Sequence, residues 1–338
     1  MKAAVFLGKH QLEIQNQEVP VPGIGEILIK VKACGICGTD QHIFHGQPGS
    51  AEVVPPTILG HEFSGEVVSV GEKVKGLQQG DRVSIDPNIY CGICSYCRNG
   101  KKHLCENLEA LGVTRNGGMA EYCVVPAANC YKVPNSISFE EASLIEPLGC
   151  VIHGIEQIKI QPGSSVLVIG GGFIGQLMLQ MTKMYGANPV VISEPDETKH
   201  SLLYDYGADQ VVSPLSGTFD DWVSQTGGFD IVIECVGRKE TMEQAVKASQ
   251  KGAQILFFGV AAPDTKISIS PFEVFAKELK ISGSFINPDT HEKAISLIAQ
   301  GKIRVNRSIS HTFQLDEIPD AMVNYPRMHV TKGVIVYE

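Results

Sequence analysis

The sequence predicts an α/β protein: a β-rich region of about 145 residues, then a doubly wound parallel sheet, then a short return to mixed structure. Three observations carry that expectation. The first part consists of short β-like runs broken by Gly and Pro. From Ser165 onward, apolar strands alternate with segments of helical periodicity. A G-x-G-x-x-G turn stands at the first strand-to-helix junction of that second part.

In the first part, MKAAVFLGKH reads as a first strand, because it lacks the length and cleavage pattern of a signal peptide. GEILIKVKACG and the run around FSGEVVSVG alternate apolar and polar positions, as half-buried strands do. Asp81–Ile85 follows the turn at Gly80, and Tyr122–Val125 adds another strand. In the second part, SVLVI (165–169) is a short, wholly apolar strand of the kind buried inside a parallel sheet. Gly172–Tyr185 then places Ile174, Leu177, Met178 and Met181 at helical spacing. The series continues with a strand at 190–193, a helix at 197–206, and strands at 210–212, 230–234, 253–258 and 280–284. A helix at 291–300 and a last strand at 333–337 close the chain.

Composition narrows the function. Hydrophobic residues make up 43% and charged residues 19%, so the chain has material for a packed core. A net charge of -9 argues against a nucleic-acid or anionic-membrane binder. No run of eighteen apolar residues exists to cross a bilayer. Four of the ten cysteines stand in metal-ligand spacing and the others are scattered, which points to a reducing, cytoplasmic location rather than a disulfide framework.

Those four, Cys91, Cys94, Cys97 and Cys105, follow the spacing C-x2-C-x2-C-x7-C. Four thiolates within fifteen residues can close a tetrahedron around one zinc ion, leaving no open position for chemistry. A different group has an open-site composition: Cys37 in a glycine-flanked turn after a predicted strand, with His61 and Glu62 in LGHEFSG. Thiolate, imidazole and carboxylate suit zinc, and three protein ligands leave one position free.

The glycine turn comprises Gly170, Gly172, Phe173, Ile174 and Gly175. The first glycine allows the tight turn, the second lets backbone amides approach a pyrophosphate, and the third lets helix and strand pack closely. Glu194, nineteen residues after Gly175, ends the next strand where a carboxylate accepts from ribose hydroxyls. That carboxylate repels a 2'-phosphate and so favours NAD over NADP. Lys199, five residues on, is the residue that could instead contact a phosphate.

Together these motifs resemble the zinc-containing medium-chain alcohol and polyol dehydrogenase family over essentially the whole chain. CGICGTDQH is similar to the family's first ligand motif and GHEFSGEVVSVG to its second. The cysteine lobe, LIEPLGCVIHG and VLVIGGGFIGQL follow in the family's order. The resemblance implies a GroES-like β-rich catalytic domain over residues 1–147 and 290–338, and a Rossmann NAD-binding domain over 148–289. It implies two zinc ions. Cys37 and His61 ligate the catalytic one, with Glu62 a third ligand or close neighbour. Glu146 resembles the zinc-binding glutamate of sorbitol dehydrogenase-like members, with Cys150 as its rival. Thr39 and His42 pass the substrate proton outward, and His45 is a substrate-loop or solvated residue.

The implied chemistry is reversible oxidation of a secondary alcohol, foremost a sugar alcohol, to a ketone with hydride transfer to NAD. L-threonine 3-dehydrogenase and 2,3-butanediol dehydrogenase share much of the pattern. A zinc protein without turnover and a zinc-independent quinone reductase relative are the competing classes. The expected macromolecular partner is a second copy of the chain: LKISGSFIN supplies the edge strand that pairs between subunits in the family, giving a homotetramer or a dimer.

Overall fold

The computed structural model describes residues 1–215, 222–224 and 226–338. The chain divides into two compact units, Met1–Gly149 with Ile286–Glu338, and Cys150–Phe285.

The first unit is built on one long strand. Glu26–Ile36 pairs antiparallel with Glu62–Val70, with Tyr122–Pro126 and with Gly333–Val336. Arg82–Ile85 and Cys130–Lys132 extend this seven-stranded sheet on one side and His311–Phe313 on the other. Lys2–Gly8, Gln11–Asn16 and Thr57–Ile58 form a separate three-stranded sheet. Alternation in the sequence becomes burial here: Ile27, Ile29 and Val31 from the long strand pack in one core with Phe63, Val67 and Val83.

The second unit is the doubly wound sheet. Its strand order is Gln210–Val212, Val190–Ser193, Val166–Ile169, Phe229–Glu234, Ser249–Phe257, Lys280–Gly283, all neighbours parallel. In chain order that is 3-2-1-4-5-6, the Rossmann arrangement. All four residues of Val166–Ile169 are buried, as expected of a strand covered on both faces. The helix Phe173–Met184 follows the first strand. The segment read as a helix at 197–206 begins as a 3-10 turn, Glu197–Lys199, capped by the Asp196 side chain, and becomes α-helical at His200–Asp205.

Residues 286–289, which the family resemblance places in the nucleotide-binding segment, group with the first unit. Asn287 accepts a 2.6 Å hydrogen bond from the Asn88 side chain, and Asp289 pairs with Lys102 at 2.6 Å. Gly149 also belongs there, because a Cβ on it would lie 2.8 Å from Thr290 Oγ1. None of the described helices is long and apolar enough to cross a membrane.

Candidate active site

Three neighbouring strand ends build the candidate metal site. Ile36 ends the long strand, and Cys37 N-caps the short helix Gly38–Phe44 that follows. Gly35 lies opposite Glu62, the first residue of the next strand, which puts His61 just ahead of that strand. On the other side Gly333 lies opposite Ile36, which puts Lys332 at the same end of the sheet. One sheet register therefore brings together residues from three distant stretches of chain.

The donor atoms of Cys37, His61 and Glu62 lie within 4.8 Å of one another. His61 and Glu62 are buried and Cys37 is half-buried. Gly35 makes room for the cluster, since a Cβ there would stand 2.1 Å from Glu62 Oε2. Asp40, buried within the short helix, accepts a 2.9 Å hydrogen bond from the Cys37 amide through Oδ2. Its Oδ1 faces His61 Nδ1 at 3.5 Å, longer than a well-formed hydrogen bond, and both atoms are buried without a hydrogen-bond partner. Burial opposes a charged His61 ring. The Asp40 carboxylate and the Cys37 sulfur outweigh that opposition and hold its pKa well above the ordinary range. Glu62 is bonded to the Lys332 ammonium, which also donates to the Ile36 carbonyl at 3.1 Å. Burial works against the Lys332 charge, but Glu62 and Cys37 raise its pKa above the usual lysine range.

This arrangement fits a metal cation. It offers a thiol, an imidazole and a carboxylate, with an acidic group behind the imidazole to orient it. Glu146 and Cys150 are not members of the three-donor group. Glu146 is buried in the first turn of the helix Ile145–Glu156, and Cys150 is half-buried on the same helix. Thr39 and His42 stand three apart on the short helix and therefore on one face of it, both half-buried. Burial, with a contribution from His45, lowers the His42 pKa. His45 is exposed and its Nδ1 meets the Gln41 carbonyl at 2.7 Å.

Cys91, Cys94, Cys97 and Cys105 form the second group of donors, also within 4.8 Å of one another. Backbone amides point at the sulfurs: Cys94 N–H at Cys91, Cys97 N–H at Cys94, and Asn107 N–H at Cys105, at 3.4 to 3.5 Å. Backbone N–H groups bring the Cys91 thiol down to about 6 and lower Cys94, while burial and neighbouring thiols push Cys97 up to about 12. Amide donors of this kind favour the thiolate form that a zinc ion requires.

In the second unit, Gly170 has φ +100°, and a Cβ on Gly175 would lie 1.8 Å from the Gly170 carbonyl oxygen. Gly172 N-caps the helix that Phe173, Ile174 and Gly175 begin. Glu194 is buried at the end of the second strand. Its carboxylate accepts from Gly171 N–H at 2.7 Å and from Asp196 N–H at 2.9 Å, tying the glycine turn to the strand end. Lys199 sits between Glu194 and Asp196, at 3.6 and 3.7 Å.

Two residues of this geometry had no role assigned from the sequence. Asp40 lies inside the quoted CGTDQH, and its position three after Cys37 is the spacing of a capping box, a signal sufficient to find it. Lys332 has no such signal, because sheet register alone brings it to Glu62.

The family models agree with the geometry. Residues 23–135 match the alcohol dehydrogenase GroES-like domain, and residues 174–300 match the zinc-binding dehydrogenase domain. D-arabinitol dehydrogenase 1 of Uromyces fabae is 32% identical over 328 residues, covering 95% of this chain and 93% of that one. L-threonine 3-dehydrogenase of Pyrococcus horikoshii is 36% identical over 311 residues, covering 89% of this chain and 88% of that one. A crystal structure assigned as a zinc-binding dehydrogenase from Sinorhizobium meliloti 1021, bound to NADP, superposes with a TM-score of 0.95 at 38% identity, covering 99% of each chain. By its two domains, its motifs and these relatives, the chain belongs to the zinc-containing medium-chain dehydrogenase family.

Proposed function

We propose that the protein oxidises a secondary alcohol, foremost a sugar alcohol, reversibly to a ketone, with zinc and NAD. The observation that carries this reading is the convergence of Cys37, His61 and Glu62 with Asp40 behind the imidazole. In this reading Cys37 and His61 hold the catalytic zinc, and Glu62, Glu146 or Cys150 completes the protein ligands. The cysteine lobe holds a second zinc that has no open position. A zinc ion at the first site supplies Lewis acidity, lowering the pKa of a substrate hydroxyl. Thr39 accepts the substrate proton and His42 carries it outward. Burial keeps the His42 imidazole neutral near pH 7, the form that can take a proton.

The glycine turn and the start of the helix Phe173–Met184 hold the pyrophosphate, and Glu194 faces the ribose. Glu194 and Asp196 flank Lys199, so a 2'-phosphate would meet two carboxylates around one ammonium. That balance supports NAD, although the Sinorhizobium meliloti relative is bound to NADP. The first unit is the catalytic part and the second the nucleotide-binding part. Lys280–Gly283, the last strand of the described sheet, and the exposed Phe272 and Phe275 on the helix that precedes it in sequence support self-association as a tetramer or dimer.

A second reading, L-threonine 3-dehydrogenase, is favoured by the 36% identity to the Pyrococcus horikoshii enzyme. Initial rates across sugar alcohols, L-threonine and 2,3-butanediol, each with NAD and NADP, separate them. The proposal expects the highest kcat/KM with a sugar alcohol and NAD. Turnover of L-threonine without turnover of sugar alcohols would overturn the first reading in favour of the second.

A further inference from the structure

The segment 286–290 has no part in the mechanism above, yet its backbone is held in a costly form. Ile286 and Asp289 have φ of +49° and +55°, a left-handed conformation that suits a β-branched residue least. Strain of this kind persists only where surrounding contacts fix it. Asn287 and Thr290 are wholly buried, and the Thr290 hydroxyl donates to the Asn287 carbonyl at 3.2 Å.

The fixing contacts come from the cysteine lobe and the residues just ahead of it. Asn88, three residues before Cys91, donates through Nδ2 to Asn287 Oδ1 at 2.6 Å. Asn88 is itself held. Asp86 Oδ1 accepts from its amide N–H and from its Nδ2, both at 3.1 Å, and its carbonyl accepts from Asn129 Nδ2 at 2.8 Å. Inside the lobe, between Cys97 and Cys105, Lys102 bonds to Asp289 at 2.6 Å.

The same two buried residues, Asn287 and Thr290, meet the helix Ile145–Glu156 at Gly149. A Cβ there would lie 2.8 Å from Thr290 Oγ1 and 3.2 Å from Asn287 Cβ, so only a glycine lets the segment approach so closely. Asn287 Nδ2, without a hydrogen-bond partner among the described residues, stands 3.4 Å from the same point. Gly149 is three residues after the buried Glu146 and so adjoins it on the helix surface. A metal ligand works only when held to within about 0.5 Å by neighbours that are themselves fixed.

We propose that Asn287 is a positioning residue for Glu146: braced on the flank of the cysteine lobe through Asn88, it fixes the helix turn from which Glu146 serves the catalytic zinc. The inference rests on the reading above in which Glu146 completes the protein ligands of that zinc. It gives the lobe, a closed site without chemistry of its own, a task in supporting the open one.

Zinc release from the full-length, zinc-loaded protein to a chromogenic chelator tests this. Cys37→Ser and Cys97→Ser identify the catalytic and lobe phases, since each variant lacks one of them. Glu146→Gln is expected to speed the catalytic phase by at least about tenfold. Asn287→Ala is expected to speed that phase about tenfold and to leave the lobe phase within about twofold of wild type. In the Glu146→Gln background, Asn287→Ala should add less than about twofold, because its effect passes through Glu146. If Asn287→Ala does not fold, Asn88→Ala removes the brace from the lobe side and is expected to speed the catalytic phase about threefold, again only where Glu146 is present. Equal acceleration of both phases, full additivity with Glu146→Gln, or no acceleration in any folded variant would overturn the inference alone. A catalytic phase unchanged by Glu146→Gln would overturn the reading of Glu146 as a ligand, and the inference with it.

Discussion

Lys332 and Glu62 stand 270 positions apart in sequence and form a buried ion pair at the candidate metal site. Removing one partner leaves the other charge buried and uncompensated. Lys332→Met is therefore expected to cost about 3–5 kcal/mol of stability, whereas Glu62→Gln with Lys332→Met should cost less than Lys332→Met alone. Denaturant unfolding of the two single variants and the double variant reads this directly. His291 gives a pH-dependent counterpart. It is buried with Nε2 2.9 Å from Ser84 Oγ, and burial lowers its pKa to about 3. An unfolded histidine titrates near 6.5, so below that pH the unfolded chain binds a proton that the folded chain refuses. The stability due to a neutral His291 is complete above about pH 6.5 and is lost progressively as pH falls toward 3. Asp86, raised to about 6 by burial, acts in the opposite direction but is common to both proteins compared. His291→Gln should reduce the destabilisation between about pH 7.5 and pH 5 by about 2 kcal/mol in thermal or denaturant unfolding. An unchanged pH slope would contradict the neutral, buried assignment. At this scale the sequence is readable wherever a role depends on local spacing, as with Asp40 three residues after Cys37. It is silent on Lys332, whose role depends on which strands pair.

At the scale of elements, apolar runs and turn residues carry most of the information. VLVI, VVIS and the strand ending at Glu234 are legible because a strand buried on both faces reads as a short, near-continuous apolar run, here VLVI, VVI and IVI. The fifth strand is longer than its apolar run. Ser249–Phe257 includes a polar start that pairs with Phe229 across a register shift, and hydrophobicity does not mark such a shift. The cysteine lobe is legible from spacing alone, because its donors are local. Cys97→Ser is expected to lower zinc content from about two to about one per chain and to lower the unfolding temperature. NADH binding should persist. Loss of NADH binding in the folded variant that retains about one zinc would contradict the independence of the lobe and the glycine turn.

At the scale of the whole molecule, the change in pattern near residue 147 marks two kinds of architecture, but the fine division follows side-chain bonds. Asn287 and Asp289 join the first unit through Asn88 and Lys102, partners that no periodicity reveals. The proposed self-association belongs to the same scale. Phe272 and Phe275, on the helix that precedes Lys280–Gly283 in sequence, are 74% and 78% exposed, and Lys280–Gly283 is the last strand of the described sheet. Replacing both phenylalanines with serine is expected to shift sedimentation toward smaller species while leaving NADH binding intact, and unchanged sedimentation would exclude this face from the assembly. Substrate identity is the least legible feature, because the similarity to arabinitol and threonine enzymes spans the same scaffold, and a scaffold does not fix a substrate. The most direct test of the central claim uses secondary alcohols deuterated at the carbinol carbon, with NAD and the zinc-loaded protein, and mass spectrometry of the reduced cofactor. The account predicts deuterium on the nicotinamide together with the matching ketone. Absence of label transfer from sugar alcohols, L-threonine and 2,3-butanediol alike, with both zinc ions bound, would contradict it.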